Sequence, residues 1–446
     1  MNRSNQVPLL NRILIVLPVI ALGLVGGTFA ARYLELDSQN DSYDVESAAQ
    51  VTTRNRTDDM IAAQQARLKR NPNDGQAYTN LAVAFLQKMR ETGDPSYYTK
   101  ADGLLHRALE LNPNDFSAIS ALGSLALARH QFREALDWGE RARALNPANA
   151  HNYGVIGDAQ MELGLYAEAV QSFQTMVNRR PDLSSYARIS YARELHGDLE
   201  GAIQAMRQAV EAGGPNAENT NWTRVQLGHL YFEQGQYAAA EKEYQAALND
   251  FPDYPYALAG LGTLAAARRD YATAISYYTR VVNTLPLPQF VIALGDIYAS
   301  AGQPDQAAQQ YALVQVEEKL YAANGVDQDA EMALFNADHH RDLPEALQRA
   351  RAAYARRPSI TVADTLAWTL YQTGNYDEAQ QMMMQALRLG TRNALMHYHA
   401  GMIAYQLGQR EPAITFLDQA LRLNPRFSLL YADHAQKLLS ELRQGQ

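Results

Sequence analysis

The chain has 446 residues, 39 Lys and Arg against 48 Asp and Glu for a net charge of −9, 47% hydrophobic residues and no cysteine. That length holds two to four ordinary domains or one extended repeat array, and the hydrophobic share excludes global disorder. The acidic balance argues against nucleic acid as a partner, and the missing cysteine excludes disulfide scaffolds, thiolate metal sites and cysteine nucleophiles.

Residues 1–12 carry Arg3 and Arg12 and precede an uncharged run, Ile13 to Ala31, closed by Arg32. As a helix the run is about 28 Å long, close to the hydrocarbon core of a bilayer. Acidic residues follow it: Glu35, Asp37, Asp41, Asp44 and Glu46. The charge asymmetry predicts a cytoplasmic tail at 1–12, a single transmembrane signal anchor at 13–31 and the bulk of the chain outside the cell membrane. A cleaved signal peptide, ending at Thr28-Phe29-Ala30, is the competing expectation, and a cytoplasm-facing anchored adaptor is the opposite topology. The polar stretch 32–57 is expected to be a flexible stalk.

Met60 to Arg70 reads as a lone capping helix within 58–73, with Asp58 or Asp59 as its N-cap. Beyond it the chain repeats. Ala101, Ala135, Ala169, Ala202, Ala240, Ala274, Ala307, Ala346, Ala379 and Ala413 follow one another at 33 to 39 residues. A proline stands about twelve residues after many of them, as at Pro113, Pro147, Pro181, Pro252 and Pro286. A small residue stands twelve before, including Gly123, Gly157, Gly228, Gly262, Gly295 and Gly401, and a bulky one four after, including Phe173, Tyr244, Tyr278, Tyr311, Met383 and Leu417. Glycine turns separate the halves. These are the marks of two antiparallel helices per unit: apolar faces at helical spacing, small residues where backbones approach, glycine after the first helix and proline after the second.

The register resembles the tetratricopeptide repeat. That resemblance implies an all-α, right-handed superhelix, an α-solenoid of about ten helix-turn-helix repeats, between 74 and 427. It falls into units 1–4 at 74–214, units 5–7 at 215–324 and units 8–10 at 325–427, with a capping helix in 428–446. The last stretch also resembles secreted or membrane-anchored bacterial proteins of the same repeat, which implies no reaction.

No phosphate-binding loop, nucleophile elbow, zinc-protease motif or dinucleotide fingerprint occurs. Ten units, two caps, stalk and anchor use nearly the whole chain, so a non-enzymatic interaction scaffold with no cofactor is expected. The resemblance places a concave groove on the first helix of each unit. In the last three units the groove positions are Glu331, Phe335 and Asp338, then Asp364, Trp368 and Tyr371, then Tyr398, Met402 and Tyr405. This acidic and aromatic strip, read as free of Lys and Arg, suits an extended segment of a protein or peptide partner. The slots that hold a basic carboxylate clamp in chaperone-binding relatives are Thr79, Ser120 and Gly154. His339 and His399 lie beside the strip and raise a second expectation, a metal-handling accessory. The sequence leaves the oligomeric state open.

Overall fold

The computed structural model describes residues 53–214 and 218–444. The expected tail, the anchor at 13–31 and the stalk as far as residue 52 lie outside the described residues. Among those described, no helix is long and apolar enough to cross a membrane.

The described residues form 22 helices. The first helices of the ten units are Gly75–Thr92, Phe116–Ala128, Ala150–Glu162, Leu183–Leu195, Glu218–Glu233, Pro255–Ala267, Pro288–Ser300, Asp329–Asp338, Ile360–Gln372 and Ala394–Gln406. Each is followed by its second helix: Ser96–Leu111, Phe132–Leu145, Tyr166–Arg179, Leu199–Glu211, Tyr237–Asp250, Tyr271–Thr284, Pro304–Ala323, Leu343–Arg356, Tyr376–Ala386 and Arg410–Leu423. Single helices, Thr53–Arg70 and Ala432–Gln444, cover the two ends. The first cap starts well before Met60, so neither Asp58 nor Asp59 is its N-cap. The helix extends because Thr57 is buried and donates to Glu91, while Asp58 pairs with Lys88 at 2.5 Å. The last cap starts at Ala432, later than the expected Ser428.

Local chemistry sets the unit. Asp74, Asp115, Asn149 and Asp182 accept backbone N–H groups at the starts of their helices, which satisfies donors the helix cannot. First helices are buried on nearly every side, whereas the second helix of unit 2 buries only Phe132, Ala135, Gly139 and Ala142. First helices therefore line the inside of the solenoid and second helices its outside. All ten register alanines are 3% exposed or less. The small and bulky columns interlock: a Cβ on Gly157 would collide with the Phe173 ring, and one on Gly228 with the Tyr244 ring. Unit 2 inverts the exchange. Gly139 stands where other units carry a bulky side chain, and Ile156 of unit 3 fills the space.

The solenoid winds tightly enough to touch itself. Turns between the two helices of early units meet junctions between late units. The His130 ring bonds the Asp327 carbonyl at 2.9 Å, and the Asp327 N–H donates to Arg129. Ile360 N–H donates to the Tyr166 hydroxyl at 2.6 Å, Thr391 donates to the Leu195 carbonyl, and Asn424 Nδ2 donates to the Phe232 carbonyl at 2.9 Å. These partners are 192 to 197 residues apart, so one coil takes a little under six units. Arg269 completes the ladder on Asp433 of the last cap.

Candidate inner-face site

The strip residues do come together, but as an interior stack rather than an open strip. Trp368 is 1% exposed, Tyr398 2%, Phe335 and Met402 4%, Glu331 and Asp364 6%. Asp338 and Tyr371 are half-buried, and only Tyr405, at 42%, is open. The Trp368 ring is sandwiched between His399 at 4.1 Å and Tyr371 at 4.7 Å, and Tyr398 stacks on Tyr431 at 4.9 Å. Trp368 Nε1 and the Tyr431 hydroxyl both donate to Asp338 Oδ1 at 2.8 Å. Inner-face positions in successive units lie diagonally above one another, so long side chains there reach each other before they reach solvent. Tyr431, in the lead-in to the last cap, continues the diagonal and closes it.

The strip is also not free of basic partners. Arg357, buried at the end of unit 8, holds Glu331 with two bonds at 2.8 and 2.9 Å and reaches Glu162 of the neighbouring coil at 3.9 Å. His130 approaches Glu331 at 3.6 Å. Burial raises the Glu331 carboxyl, but Arg357 and His130 outweigh it and leave it below its ordinary range. Asp338 has no arginine against it; burial holds its carboxyl up, and His399, Tyr431, Trp368 and His339 only partly offset that.

Units 3 to 5 carry a different inner wall. Arg188 is bound to Asp158 by contacts of 2.8 to 3.1 Å, both fully interior. Gly154 makes the room: a Cβ there would stand 3.1 Å from Arg188 Nε. Burial pushes Asp158 up to about 7 against the pull of Arg188. Farther along, burial pushes Glu194 up to about 8, reinforced by Glu233, which burial itself raises to about 7. No cation contributes to either value. Sequence reasoning passed over this wall, although Glu162, Glu194 and Glu233 recur near the ends of three consecutive first helices. Of the three clamp slots, Thr79 and Ser120 are buried side chains and Gly154 serves Arg188.

His339 and His399 are each engaged by a carboxylate. His339 spends both ring nitrogens, Nδ1 on the Phe335 carbonyl at 2.8 Å and Nε2 on Asp296 at 2.7 Å. Two acceptors require the doubly protonated ring. Burial opposes that charge, yet Asp296 holds the ring above the ordinary histidine range. His399 gives Nδ1 to Asp364 at 2.9 Å and is wholly buried against Trp368. Among the described residues no group of three His, Asp or Glu is placed to hold a metal ion.

A sequence profile described as tetratricopeptide repeat matches residues 155–217, 225–287 and 365–426. The chain is similar to intraflagellar transport protein 70A of Bos taurus, 29% identical over 195 residues, which is 42% of this chain and 28% of that one. It therefore spans well under a third of that relative's length. Among solved structures it is similar to a thermophilic repeat protein of Thermus thermophilus, with 21% identity and a TM-score of 0.37 over 47% of this chain and 99% of that one. Yeast Tom70 matches with 13% identity and a TM-score of 0.35, over 88% of this chain and 93% of that one.

Proposed function

We propose that this chain is a tetratricopeptide-repeat protein that works as a non-catalytic scaffold, carried outside the cytoplasmic membrane by the segment at 13–31, and that it binds an extended segment of an extracytoplasmic partner along its inner face. The observation that carries the proposal is the C-terminal aromatic wall. Trp368 and Tyr398 form a floor fixed by stacking and by Asp338, while Tyr371 and Tyr405 remain reachable at its rim. A rigid aromatic floor with a partly open rim offers large contact area at little ordering cost, which is how binding hot spots gain affinity.

Cross-linking the full chain in its native membrane, against a Tyr371→Ala, Tyr405→Ala chain, tests this. The double variant should lose the cross-linked partner while still unfolding in one cooperative transition, at a temperature lowered by the loss of the Tyr371–Trp368 stack. Recovery of the same partner by both chains sinks the groove. A reporter fused after Gln446 that is active only in the cytoplasm sinks the topology.

A further inference from the structure

The coiling leaves two edges. The turn edge is made of the glycine turns within units, and the junction edge of the links between units. Where coils touch, the turn edge of the first coil meets the junction edge of the second. Gly164 lies under the Pro358 carbonyl, where a Cβ would approach to 2.7 Å, and Gly197 lies under the Gly390 carbonyl. The later turns have the same backbone and, among the described residues, nothing above them. Gly302, Gly374 and Gly408 hold φ of 74°, 79° and 71°, against 73° and 77° at Gly164 and Gly197, yet no atom lies within 4 Å of a Cβ at any of the three.

The junction edge shows the mirror situation. Asn424, followed by Pro425, is fully buried; its Oδ1 accepts the Arg426 N–H at 2.9 Å and the Tyr237 hydroxyl at 2.6 Å, and its Nδ2 donates to the Phe232 carbonyl. The same Asn-Pro pair occurs at Asn71, Asn112 and Asn146, each folded by the same bond from the N–H two residues on, at 3.1 to 3.2 Å. Asn71 and Asn112 are exposed. Their counterpart acceptors also recur. The Phe232 carbonyl sits three residues before Gly235 and takes its N–H; the Tyr371 and Tyr405 carbonyls stand in the same relation to Gly374 and Gly408.

We infer that the open turn edge of units 7 to 10 docks on the open junction edge of units 1 to 3 of a second copy of this chain, head to tail, repeating the contact the chain already makes with itself. Gly374 and Gly408 are separated by the same 34 residues as Asn112 and Asn146, so two rungs can form in register. Both halves of a contact the chain makes with itself thus recur at opposite edges, without a partner coil among the described residues. Such an interface is heterologous, and it builds an open-ended coil rather than a closed ring when the superhelical step does not return on itself.

Light scattering on the detergent-solubilised full chain tests this with two variants. One alters the junction edge, Asn114→Arg with Ala148→Arg; the other alters the turn edge, Asn375→Arg with Gln409→Arg. Wild type should grow in mass with concentration past the dimer. Each variant alone should stay monomeric with an unchanged melting curve, and an equal mixture should stop at the dimer, because each supplies the edge the other lacks. A wild type that stays monomeric up to its solubility limit overturns the inference. So does association that either variant alone retains, or a mixture that stays monomeric.

Discussion

The inner walls of units 3 to 5 and units 8 to 10 are both built mainly on first helices and reach opposite solutions. The early wall is ionic: a buried Asp158–Arg188 pair and two carboxyls held up by burial. The late wall is aromatic, with Trp368, Tyr371, Tyr398 and Tyr431 stacked and their polar atoms converging on Asp338. The difference lies in how each wall spends its polar groups. Aromatic rings bury large areas and need one acceptor for each donor, whereas buried charges return their desolvation cost only when fully matched. The late wall therefore stabilises the coil, and the early wall carries two carboxyls that burial holds toward their neutral form.

Removing the centre of the late wall should have the largest effect. Trp368→Ala should cost about 3–5 kcal/mol in chemical denaturation and leave Asp338 without its indole donor. A loss below 1 kcal/mol, on the scale of an ordinary surface change, would erase the contrast between the walls. Next comes the link between them. Arg357→Ala strands Glu331, and about 3 kcal/mol should follow from one uncompensated buried charge. Adding Glu331→Gln should recover most of that loss, and a double variant no better than the single would show that Arg357 acts by packing alone.

The early wall carries a smaller effect with a definite sign. Glu194 and Glu233 have folded pKa values of about 8 and about 7, above the ordinary carboxylate value. The folded state therefore holds more protons than the unfolded state between pH 4.5 and 8, and stability falls as pH rises across that window. Glu194→Gln with Glu233→Gln should flatten the fall, raising the melting temperature by about 2–4 °C at pH 8 and hardly changing it below pH 4.5. A parallel shift at both pH values would place the effect elsewhere. Smallest of all, Tyr405→Ala should alter stability by no more than about 0.5 kcal/mol, because its ring is mostly in solvent.

Much of this was legible in the chain. The ten alanines and the glycine facing Phe173 or Tyr244 are contacts within one unit, so a fixed spacing reveals them. The stack around Trp368 was legible as a set of neighbours, because positions on successive first helices repeat with the unit. Its burial was not. That depends on Tyr431, which lies outside the register. Arg357 was missed because it ends a second helix and finds Glu331 by folding back 26 residues. Coil-to-coil contact is the sum of small rotations over nearly six units, and no local pattern encodes such a sum.

The ladder between coils has a mechanical consequence. A free superhelix is a soft spring, since each unit touches only its neighbours and stretching spreads over many small rotations. Here the bonds at His130, Tyr166, Thr391 and Asn424 bridge adjacent coils and share any axial load in parallel. Pulled between its ends, the body should resist as a stiff rod until those links give way together, and lengthen easily only after that yield point.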